Sequence, residues 1–300
     1  MKSNRKLQGT LSLIAAGLLV GASAATANAA PARSGAPAQA AAAHAKVSFP
    51  KQDPAQCTAF GKKADARKAL AAGQEVIGLW TDIFDMPEAQ KLYDTYLTPG
   101  PVTHQRTKVG GKQVSADFRN AAETKKAVSG IVDSLKDKLP TASPAFGKNY
   151  SLKKAGLGTD LRIAWSDLGT TPGFVAGGLS GVELADGTFV PDQRKITGRY
   201  SLARTTSNGK TKVTLNVRGL TLDVRDAVDF CPGNLGSGMI RDVALGMSRL
   251  ERTPYQDGKE CDAKAECFYA RPVLFNVTVP LNDVSVDVTD VFSRKAGTTR

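Results

Sequence analysis

The stretch KITGRYSLARTTSNGKTKVTLNVRGLTLDV, Lys195 to Val224, carries the pattern on which the fold depends. Asn208-Gly209 at its centre is a pair favoured in two-residue hairpin loops, where both central positions need positive φ. Going in, Ile196, Tyr200 and Leu202 share one face by period-two alternation. Coming out, Val213, Leu215 and Val217 occupy odd positions, and past Arg218-Gly219 the apolar set moves to even ones, Leu220, Leu222 and Val224. A one-residue change of phase at a glycine marks a β-bulge, which keeps one face buried while the strand bends. The stretch therefore predicts a long and strongly curved antiparallel hairpin.

Other strands are expected around it. VELADGTFV contains the hairpin signal Asp186-Gly187, and LRIAWS, Leu161 to Ser166, reads as a short strand. Near the C-terminus Val273, Phe275, Val277 and Val279 alternate, Asn282-Asp283 reads as a turn, and Val284, Val286 and Val288 alternate again, so a closing strand pair is predicted. A short helix over about Ser237 to Leu250 separates the two regions, and the polar tail SRKAGTTR is expected to fray.

Upstream of Pro140 the apolar period is that of a helix. Ile77, Trp80 and Phe84 fall at helical spacing. Asp85-Met86-Pro87-Glu88 then reads as a new start, with Asp85 as cap and Pro87 in the first turn. Leu92, Tyr93, Tyr96 and Leu97 form its apolar stripe, ended by Pro99-Gly100. A third helix is predicted from about Asp117 to Lys138, with Val128, Ile131, Val132, Leu135 and Leu139 opposite Lys125, Lys126, Lys136 and Lys138. Its apolar face lacks aromatic residues, which argues for core packing over membrane contact.

The expected fold class is α+β. An N-terminal helical lobe of about three helices, residues 47–140, packs on a C-terminal curved antiparallel sheet of about six strands, residues 141–295. The third helix is expected across the concave face, and together the lobes form a single domain, 47–300.

The first residues place Lys2, Arg5 and Lys6 before an apolar stretch, Leu11 to Val20, and then small residues ending in Ala27-Asn28-Ala29. This is the pattern of a secretory signal peptide, 1–29, too short and too broken for a membrane span. Residues 30–46 are Ala/Pro-rich with little to bury, and predict a disordered leader in which His44 is idle. A secreted, extracellular protein with no transmembrane segment in the mature chain is the expectation. The formal charge is +12, lowered by three when Lys2, Arg5 and Lys6 leave. A basic secreted chain adsorbs to polyanions such as wall polymers, through contacts that salt weakens.

Cys57, Cys231, Cys261 and Cys267 in such a chain favour two disulfides, of three connectivities. Cys261 and Cys267 share one short segment and are expected to close a small loop, which leaves Cys57 for Cys231. Cys231, inside VDFCPGNLGS, then reads as a staple between the start of the folded region and a corner of the sheet, worth about 5 kcal/mol at most by loop entropy.

Several chemistries are disfavoured. Outside the leader only His104 remains, so metal sites built on several imidazoles are excluded within one chain, and a His-dependent nucleophile would have to use that loop residue. No strand leads into GxxxxGK[ST], which argues against a nucleotide. No cofactor, metal ligand set or catalytic residue is assigned. Asp223, Asp226 and Asp229 gather before Cys231, and Asp283, Asp287 and Asp290 near the C-terminus. Such carboxylates do acid/base work on glycans or hold Ca²⁺ in other settings, but this spacing is expected to scatter them to different sides. The sequon Asn276-Val277-Thr278 falls inside a predicted strand and carries little weight. The sharper pattern is basic: Lys195, Arg199, Lys210, Lys212 and Arg218 lie opposite in parity to the apolar set and should share the outer face of the hairpin.

YLTPG at Tyr96 to Gly100, the central hairpin, Asp229-Phe230-Cys231-Pro232-Gly233 and MSRLE at Met247 to Glu251 together resemble a loosely defined group of uncharacterised secreted proteins of high-GC Gram-positive (actinobacterial, streptomycete-like) bacteria. The resemblance spans about Trp80 to Glu251. It implies a secreted bacterial origin and carries over no site residues. The function expected is that of a secreted, non-enzymatic binding protein whose basic sheet face engages an anionic envelope or matrix polymer or a protein partner. The alternative is a secreted, carboxylate-dependent hydrolase of a cell-wall or extracellular glycan.

Overall fold

A computed structural model describes residues 53–179, 181–231, 238–255, 261 and 266–296. The signal peptide and leader expected for residues 1–46, and the last residues of the tail, lie outside these. In chain order the elements are α1 (Lys63–Ile83), α2 (Pro87–Tyr96), β1 (Gly100–Pro101), β2 (Thr107–Val109), α3 (Lys112–Asn120) and α4 (Ala122–Ala142). There follow β3 (Tyr150–Ser151), a 3₁₀ turn (Lys153–Ala155), α5 (Thr171–Val175), β4 (Val182–Glu183), β5 (Phe189–Val190), β6 (Gln193–Ser207) and β7 (Lys210–Val228). The last are α6 (Gly238–Leu250), β8 (Cys267–Phe268), β9 (Val273–Pro280), β10 (Val284–Asp287) and α7 (Thr289–Ala296). The class is α+β, as expected.

β6 and β7 are the predicted hairpin. Asn208 and Gly209 both have positive φ, 49° and 72°, and Ser207 faces Lys210 across the turn. Thr197 pairs with Thr221 and Arg199 with Arg218, so Gly219 and Leu220 together oppose Gly198. The expected bulge is there, with Gly219 at φ 60°. The nine apolar residues of the predicted inner face are all buried, and they join Ile131, Val132, Leu135 and Leu139 of α4 in one core.

β7 is the spine of the main sheet, whose order is β2-β9-β7-β6-β3 with β10 also on β7. The closing strands do not pair with each other as expected. β9 pairs with Thr221–Val228 of β7 and β10 with Thr214–Val217, on either side of the bulge. The connection is anchored at that point: Leu281 N–H donates to Leu220 O (2.8 Å) and Gly219 N–H to Asp283 Oδ1 (2.9 Å). The bulge divides β7 into two segments, and each takes its own neighbour. β2, unforeseen, lies parallel to β9, so the sheet is mixed.

Other expectations need correction. Leu161–Ser166 forms no strand: the edge of β6 is covered instead by an irregular loop, through Leu161 N–H to Arg194 O (2.9 Å), Leu152 N–H to Gly198 O (3.0 Å) and Ile196 N–H to Gly158 O (2.8 Å). Ile163 and Trp165 are nonetheless buried. The single helix expected from Asp117 is two, broken at Ala121, whose ψ of 138° is extended. Pro140 does not stop α4, because a proline in the last turn forfeits only one backbone bond; Ser143 in the left-handed region ends it. Asp85 is no cap. It turns the chain at φ 50°, and Met86 precedes the helix without a side-chain cap. Part of the polar tail, through Ala296, is helical in α7.

The disulfides pair as expected, Cys57–Cys231 with Cα atoms 5.2 Å apart and Cys261–Cys267 at 6.0 Å. β4 and β5 form the small Asp186-Gly187 hairpin. It covers the outer face at one end of the sheet, where Val182 and Leu184 pack on Ala227 and Leu274.

Candidate functional site

The five basic residues of the hairpin are all exposed, and their register sets their spacing. Arg199 and Arg218 are direct cross-strand partners. Lys195 faces Asp223, whose Oδ1 accepts a hydrogen bond from Thr278 (2.9 Å). Lys212 faces Thr205, with its Nζ 3.6 Å from Asp287. From Lys195 to the turn beside Lys210 the strand runs about 40 Å at about 3.3 Å per residue. The face therefore suits an extended ligand and cannot close around a small ion. Between the cations it is hydroxyl- and amide-bearing, with Ser285 Oγ donating to Asn216 Oδ1 (2.8 Å).

Two arginines of this region escaped the sequence reading. Arg225, exposed opposite Gln193, continues the outer parity beyond the bulge and was legible from alternation alone. Arg204 has inner parity but is exposed because the hairpin tip runs past the core; its guanidinium sits 4.2 Å from the Phe146 ring.

The acidic residues divide by side. Asp283 serves the bulge, and Asp287 accepts from Thr289 N–H (2.9 Å) and Thr289 Oγ1 (2.6 Å), bonds that lower its carboxyl below the usual range. Asp223 points outward. Asp226, three residues on along the same strand, has the opposite parity, points inward and is buried. Arg194, also buried, donates from one terminal nitrogen to Asp226 Oδ2 (2.5 Å), and its other lies 3.6 Å from Asp192. It also donates to Ala176 O (3.2 Å) and Gly178 O (2.5 Å), tying the segment after α5 to the sheet. Burial pushes Asp226 up, Asp192 adds to the rise, and Arg194 opposes it.

A second group gathers at the cysteine corner. Tyr96 OH donates to Glu251 Oε1 (2.7 Å), which also accepts from Phe230 N–H (2.6 Å). Glu251 is 1 % exposed, and burial pushes it up to about 7 against the hydrogen bonds that hold it down. Asp229 is raised as well, by burial first and then by Glu251, Asp192 and Asp226. Phe230 packs on Tyr93 and Tyr96 with ring centres 6.3 and 5.7 Å away. That contact explains an aromatic residue beside Cys231. Spacing along the chain was expected to scatter Asp226 and Asp229. The structure instead brings them into one electrostatic group with Asp192 and Glu251, elements apart in sequence, and Glu251 had no local signal as a member.

Among the described residues no group of three His, Cys, Asp or Glu side chains is arranged to hold a metal ion. His104 lies in an exposed loop, its Nε2 3.0 Å from Asp186 Oδ2. Two clefts flank α4. One, about 330 Å³, opens toward β10; the other, about 470 Å³, lies between the end of α4 and the stacked rings of Tyr150 and Tyr200, whose centres are 5.5 Å apart. Neither is lined by the buried carboxylates.

No family model matches the chain, and no curated protein or solved structure matches it at a significant level. The functional reading therefore rests on this geometry.

Proposed function

We propose that the protein is a secreted, non-enzymatic binding protein that holds an extended anionic polymer of the cell envelope or matrix along the outer face of the β6–β7 hairpin. The observation that carries this reading is the Arg199–Arg218 pair. Like charges directly opposite one another weaken a sheet, and among the described residues neither guanidinium has an anionic partner. A polyanion laid across the ladder supplies the missing counter-charge, and Lys195, Lys210, Lys212 and Arg225 extend the contact along its length. Disulfides and the lack of a helix long and apolar enough to cross a membrane among the described residues are compatible with work outside the cell.

The test is retention of the mature protein on isolated cell walls under a salt gradient. The wild type elutes at moderate salt with the ligand intact, and reversing Arg199 and Arg218 together to Glu abolishes retention. Unchanged retention of that variant rejects the face.

A second reading, a carboxylate-dependent glycan hydrolase, is favoured by one observation: Glu251, raised to about 7 beside Asp229, has a proton to give near neutral pH. It is ranked below the first because Glu251 is sealed from solvent. Release of low-mass fragments from the same walls, lost in Asp229→Asn, would reverse that order.

A further inference from the structure

The cleft between α4 and β10 has an unusual construction. Val284 pairs with Val217 and Val286 with Leu215, so the β10 valines share the inward face of the sheet. Val217 and Leu215 are fully buried, whereas Val284 and Val286 are only half covered. α4 contributes the buried Val132 and the half-buried Val128 to the lining, and Leu281 completes an aliphatic floor. Residues that the pattern directs into the core thus line an open groove of about 330 Å³.

Its rim is cationic. Arg119, Lys125 and Lys136 stand around it, with Asp133 the one acid lining it among the described residues. Lys136 is engaged by Asp133 at 3.1 Å, and Arg119 Nε donates to Pro280 O (2.9 Å) while keeping its terminal nitrogens. Lys125 has no ion pair or side-chain hydrogen bond among the described residues and is exposed.

We propose that this cleft binds a single-chain anionic amphiphile of the fatty-acid class. The aliphatic chain lies on Val128, Val132, Leu281, Val284 and Val286, and the carboxylate meets Lys125 and Arg119. Size argues for this occupant over a protein partner. A stable protein interface covers about 800 Å² per side, whereas a concave cavity at the lower end of about 300–1,000 Å³ fits a small ligand. An apolar floor with a few charges around its rim is the chemistry that recognises an amphiphile. This assignment is independent of the hairpin face.

The experiment is isothermal titration of the folded protein with sodium dodecanoate below its micelle concentration. Dodecyltrimethylammonium serves as the probe with the same chain and the opposite head charge. The expected result is saturable one-to-one binding of dodecanoate, at least about tenfold weaker binding of the cationic probe, and loss of binding in Val284→Trp, which fills the cleft. Lys125→Glu, on the helix surface where the fold is indifferent to it, should weaken dodecanoate by about fivefold or more. Reversal of Arg199 and Arg218 should leave the affinity unchanged. Absence of saturable binding, equal affinity for the two head groups, or wild-type affinity in Lys125→Glu would each overturn the assignment. Should Val284→Trp fail to fold, Lys125→Glu and the head-group comparison still decide it.

Discussion

The phenol of Tyr96 in α2 donates a 2.7 Å hydrogen bond to Glu251, the residue that follows α6, in a place sealed from solvent. It joins the helical lobe to the corner that carries Cys231, and it leaves a carboxyl group where a charge is costly. Glu251, Asp226 and Asp229 all hold their protons more tightly in the folded chain than in the unfolded one.

The sign of the pH dependence follows. A carboxyl raised on folding contributes stability that is present below its unfolded value and is lost as pH rises through its folded value. For Glu251 that window runs from about 4.5 to about 7, and at about 1.4 kcal/mol per unit its share is about 3–4 kcal/mol. Urea unfolding should show a midpoint higher at pH 5 than at pH 8, and Glu251→Gln should flatten the difference. A midpoint that rises toward pH 8 would contradict the burial of these groups.

Among the described residues Arg194 is the one buried cation paired with Asp226, so its loss takes away that carboxyl's closest counter-charge. Arg194→Met should cost about 3–5 kcal/mol at neutral pH, and adding Asp226→Leu should recover a large part. Equilibrium unfolding of the two single variants and the double variant measures this coupling. Additive losses would mean that the pair contributes nothing as a pair.

Two glycines separate conformational strain from steric exclusion. Gly219 at the bulge has φ 60° and open space where a Cβ would stand, so Gly219→Ala should cost about 1 kcal/mol. Gly158 has φ 79°, and a Cβ there would lie 2.0 Å from Ile196 O, the strand edge its own carbonyl serves. Gly158→Ala should cost clearly more and shift the loop off β6. Equal losses in chemical denaturation would show that the loop yields freely.

The features legible in the sequence were those decided between near neighbours. The Asn208-Gly209 turn, the phase change at Gly219, the stripe of α4 and the short Cys261–Cys267 loop each depend on residues a few positions apart. The features that were not legible depend on competition between distant segments. Leu161–Ser166 alternates like a strand, but Gly158 already meets the β6 edge at Ile196. β10 could read as the partner of β9 until the bend in β7 offered each of them a separate berth. Of the acidic group, Asp226 and Asp229 stood together in sequence, while Asp192 and Glu251 arrive from other elements, and no periodicity announces a carboxylate that is to be buried.

The placement of β9 bears on how the molecule comes into being. It lies between β2 and β7 in the sheet, although it follows both in the chain by many residues. On a chain delivered N-terminus first, the hairpin and the Cys57–Cys231 bond can form while β2 still has no neighbour and one flank of β7 is bare. Completion of the sheet waits for Val273–Pro280, among the last segments to arrive. Until then that flank of β7 stays unpaired, and an early stop in synthesis would expose an open, adhesive edge.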